Sequence, residues 1–178
     1  MNTGKKCQDL PPYPLEVEGA IGETVNGYPL ICGGVSNALY YEACYQLKNN
    51  NWSKIGDMKL PRWGASSVLL ENNTLLVFGG YAGMNMRRTE SIEFDSNGAI
   101  VQQWYGPYLP NQMYSNWHCS IQYAPTKVIL IGGRFAYWTA IYDLEIGMPM
   151  WTDGPILKDG VRYHFACGQI KDKLTSEQ

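Results

Sequence analysis

Three short stretches decide the reading of this chain: PLICGG at 29–34, LLVFGG at 75–80 and VILIGG at 128–133. Each is an apolar run of strand length closed by a glycine pair. The pairs stand 46 and 53 residues apart, and other landmarks keep the same beat. Leu10-Pro11, Leu60-Pro61 and Leu109-Pro110 precede them. An aromatic follows at Tyr45, Phe94 and Tyr142, and a tryptophan follows that at Trp52, Trp104 and Trp151. Four landmarks in one order at one mean spacing mark an internal repeat.

Within a repeat, the turn signals cut the chain into four short strands. In the second unit the first strand is expected over 62–71, and Asn72-Asn73 turns it. Strand two runs from Thr74 to Phe78 and strand three from Glu90 to Asp95. Ser96-Asn97-Gly98 then turns the chain into strand four near 101–105. Asn-Gly between apolar runs is a hairpin signal because both residues tolerate positive φ. No window keeps apolar residues at helical spacing without a Gly or Pro intruding, so the expected class is all-β.

Composition agrees. Of 178 residues, 45% are hydrophobic and 17% charged, enough to bury a core, and 19 Gly, 10 Pro, 13 Tyr and 6 Trp suit short strands joined by tight turns. With 14 Lys+Arg against 16 Asp+Glu, the net charge of −2 carries no footprint for nucleic acid. No apolar run approaches the length of a membrane-spanning helix. The opening MNTGKKCQDL has no apolar stretch behind its lysines, so a signal peptide is not expected.

A four-stranded unit of about 50 residues is the period of kelch repeats, which build β-propeller blades. The glycine pair after a hydrophobic strand, followed by the spaced Tyr or Phe and the Trp, resembles that family over roughly residues 8–170. The resemblance implies an incomplete kelch-type propeller. Its parts are an N-terminal segment (1–7), blades at 8–57, 58–106 and 107–156, the first strand of a fourth blade (157–170) and a polar tail (171–178). Propellers close with about four to eight blades. The chain is therefore expected to be part of a longer protein, or to complete its ring with another chain.

Five cysteines add a second layer. Cys32 ends strand two and Cys44 lies in strand three of the same blade, so a normal hairpin sets them face to face within bridging reach. Cys119 and Cys167 are 48 residues apart, one repeat, and a bond there would tie blade three to blade four. Cys7 is left over. Buried free thiols are the alternative; two bridges would imply an oxidising compartment. The segment from Cys7 to Gly34 also resembles secreted, cysteine-bearing kelch proteins of invertebrates, which implies an extracellular rather than cytoplasmic setting. Sequons at Asn51 and Asn72 fit that setting.

No catalytic constellation is expected. There is no CxxC pair, no Gly-rich phosphate loop and no GxSxG nucleophile elbow. The galactose oxidases, one group of kelch-like enzymes, hold copper with His and Tyr. Here the only histidines, His118 and His164, sit 46 residues apart at repeat-related positions, a pattern of packing rather than of a metal site. Neither metal nor other cofactor is expected.

The reading that remains is a non-catalytic module binding an unknown protein or glycan, with an intracellular kelch adaptor or a copper enzyme as alternatives. Loops after the glycine pairs are the expected surface: Tyr40, Tyr41, Tyr81, Met84, Arg87, Arg88, Arg134 and Tyr137, with Met86, Phe135 and Trp138 beside them. Arg, Tyr, Trp and Met are the residues that concentrate in interface hot spots. Arg87-Arg88 is expected to be exposed.

Overall fold

The computed structural model of the chain describes residues 10–84, 87–110, 116–134, 138–144 and 150–158. Among them every regular element is a strand. The first unit holds β1 (Ile21–Val25), β2 (Tyr28–Cys32), the two-residue β3 (Val35–Ser36) and β4 (Leu39–Tyr40), β5 (Ala43–Lys48) and β6 (Asn51–Asp57). The second holds β7 (Ser66–Leu69), β8 (Thr74–Phe78), β9 (Arg88–Phe94) and β10 (Ile100–Tyr108). The third holds β11 (Cys119–Ala124), β12 (Lys127–Ile131), β13 (Thr139–Asp143) and β14 (Met150–Asp153). Each unit is a four-stranded antiparallel meander, and β3 pairs with β4 as a small ribbon above the first.

Local chemistry fixes these hairpins. Asn26-Gly27 and Asn49-Asn50 close two-residue turns with positive φ at both positions (52° and 80°, then 49° and 58°), the geometry that matches strand twist. Asp95 Oδ1 accepts from the amides of Asn97 and Ala99 at 2.8 and 2.9 Å, making the turn before β10. All three glycine pairs repeat one conformation: φ is 73° and 101° at Gly33-Gly34, 61° and 102° at Gly79-Gly80, and 67° and 117° at Gly132-Gly133. A Cβ at Gly33 would lie 2.7 Å from the Arg62 carbonyl oxygen, so the next blade's entry segment fits only against glycine.

The blades stack face to face. All five residues of β8 are buried because the strand is packed on both sides. Leu75 and Val77 face the first blade, packing with Leu30, Cys32 and Cys44. Leu76 and Phe78 face the third, packing with Val128, Leu130 and Tyr142. β7 lies beside both β1 and β11, and Ser67 Oγ donates to Glu23 Oε1 while Ser120 Oγ donates to the Ser67 carbonyl, each at 2.8 Å. First strands therefore gather at the inside and β6, β10 and β14 form the outer edges, the layout of a blade-type β-propeller.

Two expectations need correction. The first strand of blade two begins at Ser66, because Arg62–Ala65 crosses the end of the blade with Gly64 at φ 65°. The aromatic landmarks also do not share a register. Tyr45 pairs with Ile31, two places before its glycine pair, whereas Tyr142 pairs with Val128, four places before its own. Phe94 lies beyond the β8 pairing and opposes Ile100. Equal spacing concealed unequal register, since loops and bulges absorbed the difference. From residue 159 on, the expected fourth-blade strand and the tail lie outside the described residues, as does the 1–7 segment.

Candidate functional site

One end of the blades carries the glycine pairs, the entry to each first strand and the start of each third strand. Its backbone repeats from blade to blade. The residue before each entry meets the residue after each glycine pair: Glu18 bridges Val35, Trp63 bridges Tyr81, and the Arg134 amide donates to the Asn116 carbonyl at 3.0 Å. The next residues link neighbouring blades. Gly64 N donates to Gly19 O at 2.9 Å and Trp117 N to Gly64 O at 2.7 Å. Gly19, Gly64 and Trp117 are thus equivalent, and all three are left-handed, with φ of 61°, 65° and 61°.

Trp117 is the departure. A bulky aromatic in the left-handed region costs on the order of 1–3 kcal/mol and persists only where its surroundings hold it. Its indole lies over the two glycines it replaces: a Cβ at Gly64 would stand 3.1 Å from Trp117 Cδ2 and Cε2, and one at Gly19 would stand 3.1 Å from its ring. Trp63 packs edge-on to Trp117 with centroids 5.0 Å apart, Tyr81 edge-on to Trp63 at 6.1 Å, and Tyr40 edge-on to Tyr81 at 5.8 Å. Four half-buried aromatic rings therefore run across all three blades. The indole Nε1 of Trp63 is buried and has no hydrogen-bond partner among the described residues.

Behind the ladder lies a buried ion pair. Arg62 and Glu90 are fully buried, with Arg62 Nη2 3.3 Å from Glu90 Oε2. Glu90 Oε1 accepts from the Lys59 amide at 2.6 Å, and Arg62 Nη1 donates to the carbonyls of Gly79 and Arg88. Burial pushes the Glu90 carboxyl above its ordinary value against the pull of the Lys59 amide and Arg62, and pushes the Arg62 guanidinium down against the pull of Glu90. The pair ties the entry of blade two to its glycine pair and third strand. His118 follows Trp117 and is buried with neither ring nitrogen hydrogen-bonded to a described residue; desolvation lowers its pKa to about 4.

The residues expected from the sequence fall into three groups. Tyr40 and Tyr81 belong to the ladder, and Met84 and Arg134 are exposed on the same end. Tyr41 is half-buried, its amide donating to Gly34 O and its carbonyl accepting from the Arg62 amide. The arginine pair is not the exposed tip that was expected, because β9 starts at Arg88 rather than Glu90. Arg87 donates Nε and Nη2 to the Leu109 carbonyl at 3.2 and 2.6 Å, and Arg88 lies 4.5 and 4.6 Å from the ring centres of Tyr105 and Tyr108. Tyr137, Met86 and Phe135 lie outside the described residues, while Trp138 is half-buried with its carbonyl accepting from Gly132 N. Sequence reasoning missed Trp63 and Trp117. Setting Trp117 in line with Gly19 and Gly64 would have found the second.

Cys32 and Cys44 form a disulfide across β2 and β5, as expected, and both are fully buried. Cys119 is disulfide-bonded; Cys167, the partner expected for it, lies outside the described residues, as do Cys7 and His164. Asn51 and Asn72 are both exposed, Asn51 opening β6 and Asn72 in the turn before β8. Among the described residues no group of three or more His, Cys, Asp or Glu is placed to hold a metal ion, and no helix is long and apolar enough to cross a membrane.

No protein-family model and no curated protein matches the chain. Solved structures do match in fold. The structure titled "Structure of YjhT" superposes with a TM-score of 0.70 at 12% identity, covering 89% of this chain and 58% of that one. The likeness is of fold alone: an all-β, blade-type β-propeller, of which this chain spans 58% of the matched structure's length.

Proposed function

We propose that the chain is a non-catalytic kelch-type binding module that works outside the cell and engages a protein or glycan with its glycine-pair end. The observation that carries this reading is Trp117, an aromatic at φ 61° where the other two blades have glycine. Scaffold needs alone are met by glycine there; a strained, half-buried tryptophan beside Trp63, Tyr81 and Tyr40 is a binding feature held at a structural cost. The Cys32–Cys44 disulfide supports an oxidising compartment.

The test uses the full chain carrying Trp117→Gly, which restores the residue type of blades one and two, and separately Tyr81→Ala. Both are screened against a panel of extracellular glycans and secreted proteins. We expect each variant to keep the wild-type circular dichroism and to lose at least tenfold in affinity for whatever the wild type retains. Unchanged affinity in both variants would overturn the assignment of this face. Stoichiometric copper uptake with alcohol-dependent peroxide production would replace the module with an oxidase.

A further inference from the structure

At the opposite end of the blades, where strands one and two and strands three and four turn, the two blade interfaces differ. Between blades one and two the space is filled. Gln46, on the face of blade one toward blade two, is buried, donates to the Val25 carbonyl at 3.1 Å and abuts Gly98 of the next blade's turn. Lys48 donates to the Asn97 carbonyl, and Asn26 Nδ2 donates to the Asp95 carbonyl at 2.8 Å. Between blades two and three there is instead a cleft of about 470 Å³.

Two differences from blade one open it. Gln46 pairs with Leu30, three places before Gly33, and its counterpart three places before Gly79 pairs with Ser91. A short hydroxyl thus stands where blade one has a long amide. Trp104 is the second. Trp151 pairs with Tyr142, which opposes Val128 four places before Gly132, and Trp52 pairs with Leu47, one place past Gln46, whereas Trp104 pairs with Ser91, the counterpart of Gln46 itself. The irregularity between Ile100 and Gln102 shifts it by one residue, and a one-residue slip turns a side chain to the other face of a sheet. Trp104 therefore faces blade three, across the cleft from Gln122 and Tyr142.

The lining has a definite chemistry. Among the described residues, Glu71 and Glu93 are the charged residues of its lining, and neither forms an ion pair. Ser91 is 4% exposed and lines the cleft, and its hydroxyl makes no hydrogen bond to a described residue. Trp104 keeps 39% of its surface exposed. An aromatic face beside carboxylates that have no ion-pair partner attracts a cation and repels an anion.

We propose that this interblade cleft binds a small organic cation, an ammonium group on a short apolar body, with Trp104 supplying the ring face, Glu93 and Glu71 the countercharge and Ser91 a hydrogen-bond acceptor. The site is separate from the glycine-pair end and does not depend on the function assigned to it.

The experiment titrates the full chain with choline, with its neutral isostere 3,3-dimethylbutan-1-ol, and with N-acetylglucosamine, read by tryptophan fluorescence and calorimetry. Saturable choline binding at least tenfold tighter than either neutral probe is expected. Ser91→Gln, which installs the residue that fills the other interface, should abolish it while leaving the thermal midpoint unchanged. Glu93→Gln should weaken it at least tenfold and flatten its salt dependence. No saturable binding of choline, equal binding of the neutral isostere, a preference for the sugar, or choline binding that survives both substitutions would each overturn the proposal.

Discussion

His118 gives the sharpest test of the packing. Its imidazole is buried, both ring nitrogens lack partners among the described residues, and desolvation lowers its pKa from 6.5 to about 4. The folded chain therefore binds fewer protons than the unfolded chain between these values. The stability that comes from keeping His118 neutral is fully present above pH 6.5 and is lost as pH falls toward 4. A gap of roughly 2.5 units at 1.36 kcal/mol each makes the loss about 3 kcal/mol by pH 4. Glu23 and Glu90, raised mainly by burial, act with the opposite sign: the folded chain takes up their protons first, so acidification through their window favours the fold. A difference between two proteins that share these carboxylates removes their contribution. His118→Leu is close to isosteric and leaves no unpaired polar atom, so at pH 7.5 its stability should fall within about 1 kcal/mol of wild type. Urea denaturation of both proteins at pH 7.5, 5.5 and 4 should then show the variant gaining about 3 kcal/mol on wild type across the series. Parallel pH curves would refute the buried, unpartnered imidazole.

Three further outcomes can be checked by denaturation. Glu90→Gln strands a buried guanidinium and should cost about 3–5 kcal/mol, and adding Arg62→Met should recover at least about 1 kcal/mol of that loss, because the uncompensated charge is then gone. Replacing Cys32 and Cys44 together by alanine opens a closed loop of sequence separation 12 and should cost about 3 kcal/mol in urea. Gly19→Ala puts a side chain at φ 61° with its Cβ 2.3 Å from Trp63 Cδ1, and a fixed indole ring cannot swing away as a flexible chain could. It should lower stability by roughly 2–4 kcal/mol in a thermal melt and shift the tryptophan emission.

The sequence revealed the strand count of each blade, the glycine-pair turns and the Cys32–Cys44 bridge because each depends on a short-range rule. Positive φ selects glycine and asparagine in the turns, and a hairpin in normal register sets residues 32 and 44 opposite one another. It was less informative wherever register mattered. Trp104 looked equivalent to Trp52 and Trp151 by spacing, yet one irregular step in β10 sends it to the opposite face. Arg87-Arg88 looked like a loop tip because β9 begins two residues earlier than the apolar pattern suggested, where Leu109 and two tyrosines already hold both arginines. The Arg62–Glu90 pair joins residues 28 apart across the end of a blade, a tertiary contact with no local signature.

In a repeat structure the positions that obey the repeat answer to the scaffold, since every blade must meet its neighbours through the same few contacts. A position that breaks the repeat without loosening the fold therefore calls for another cause. Trp117 breaks it at one end of the blades, in the backbone state where glycine serves twice. Trp104 breaks it at the other, lining a cleft in which Ser91 stands where Gln46 closes the neighbouring interface. The two sets lie on different ends of the second and third blades and differ in chemistry, one a ladder of rings and the other a ring beside carboxylates. Giving Trp117 the glycine of the other two blades, or Ser91 the glutamine of blade one, should silence one end and spare the other. Loss of both activities by either change would mean that the two ends are one coupled system rather than two sites.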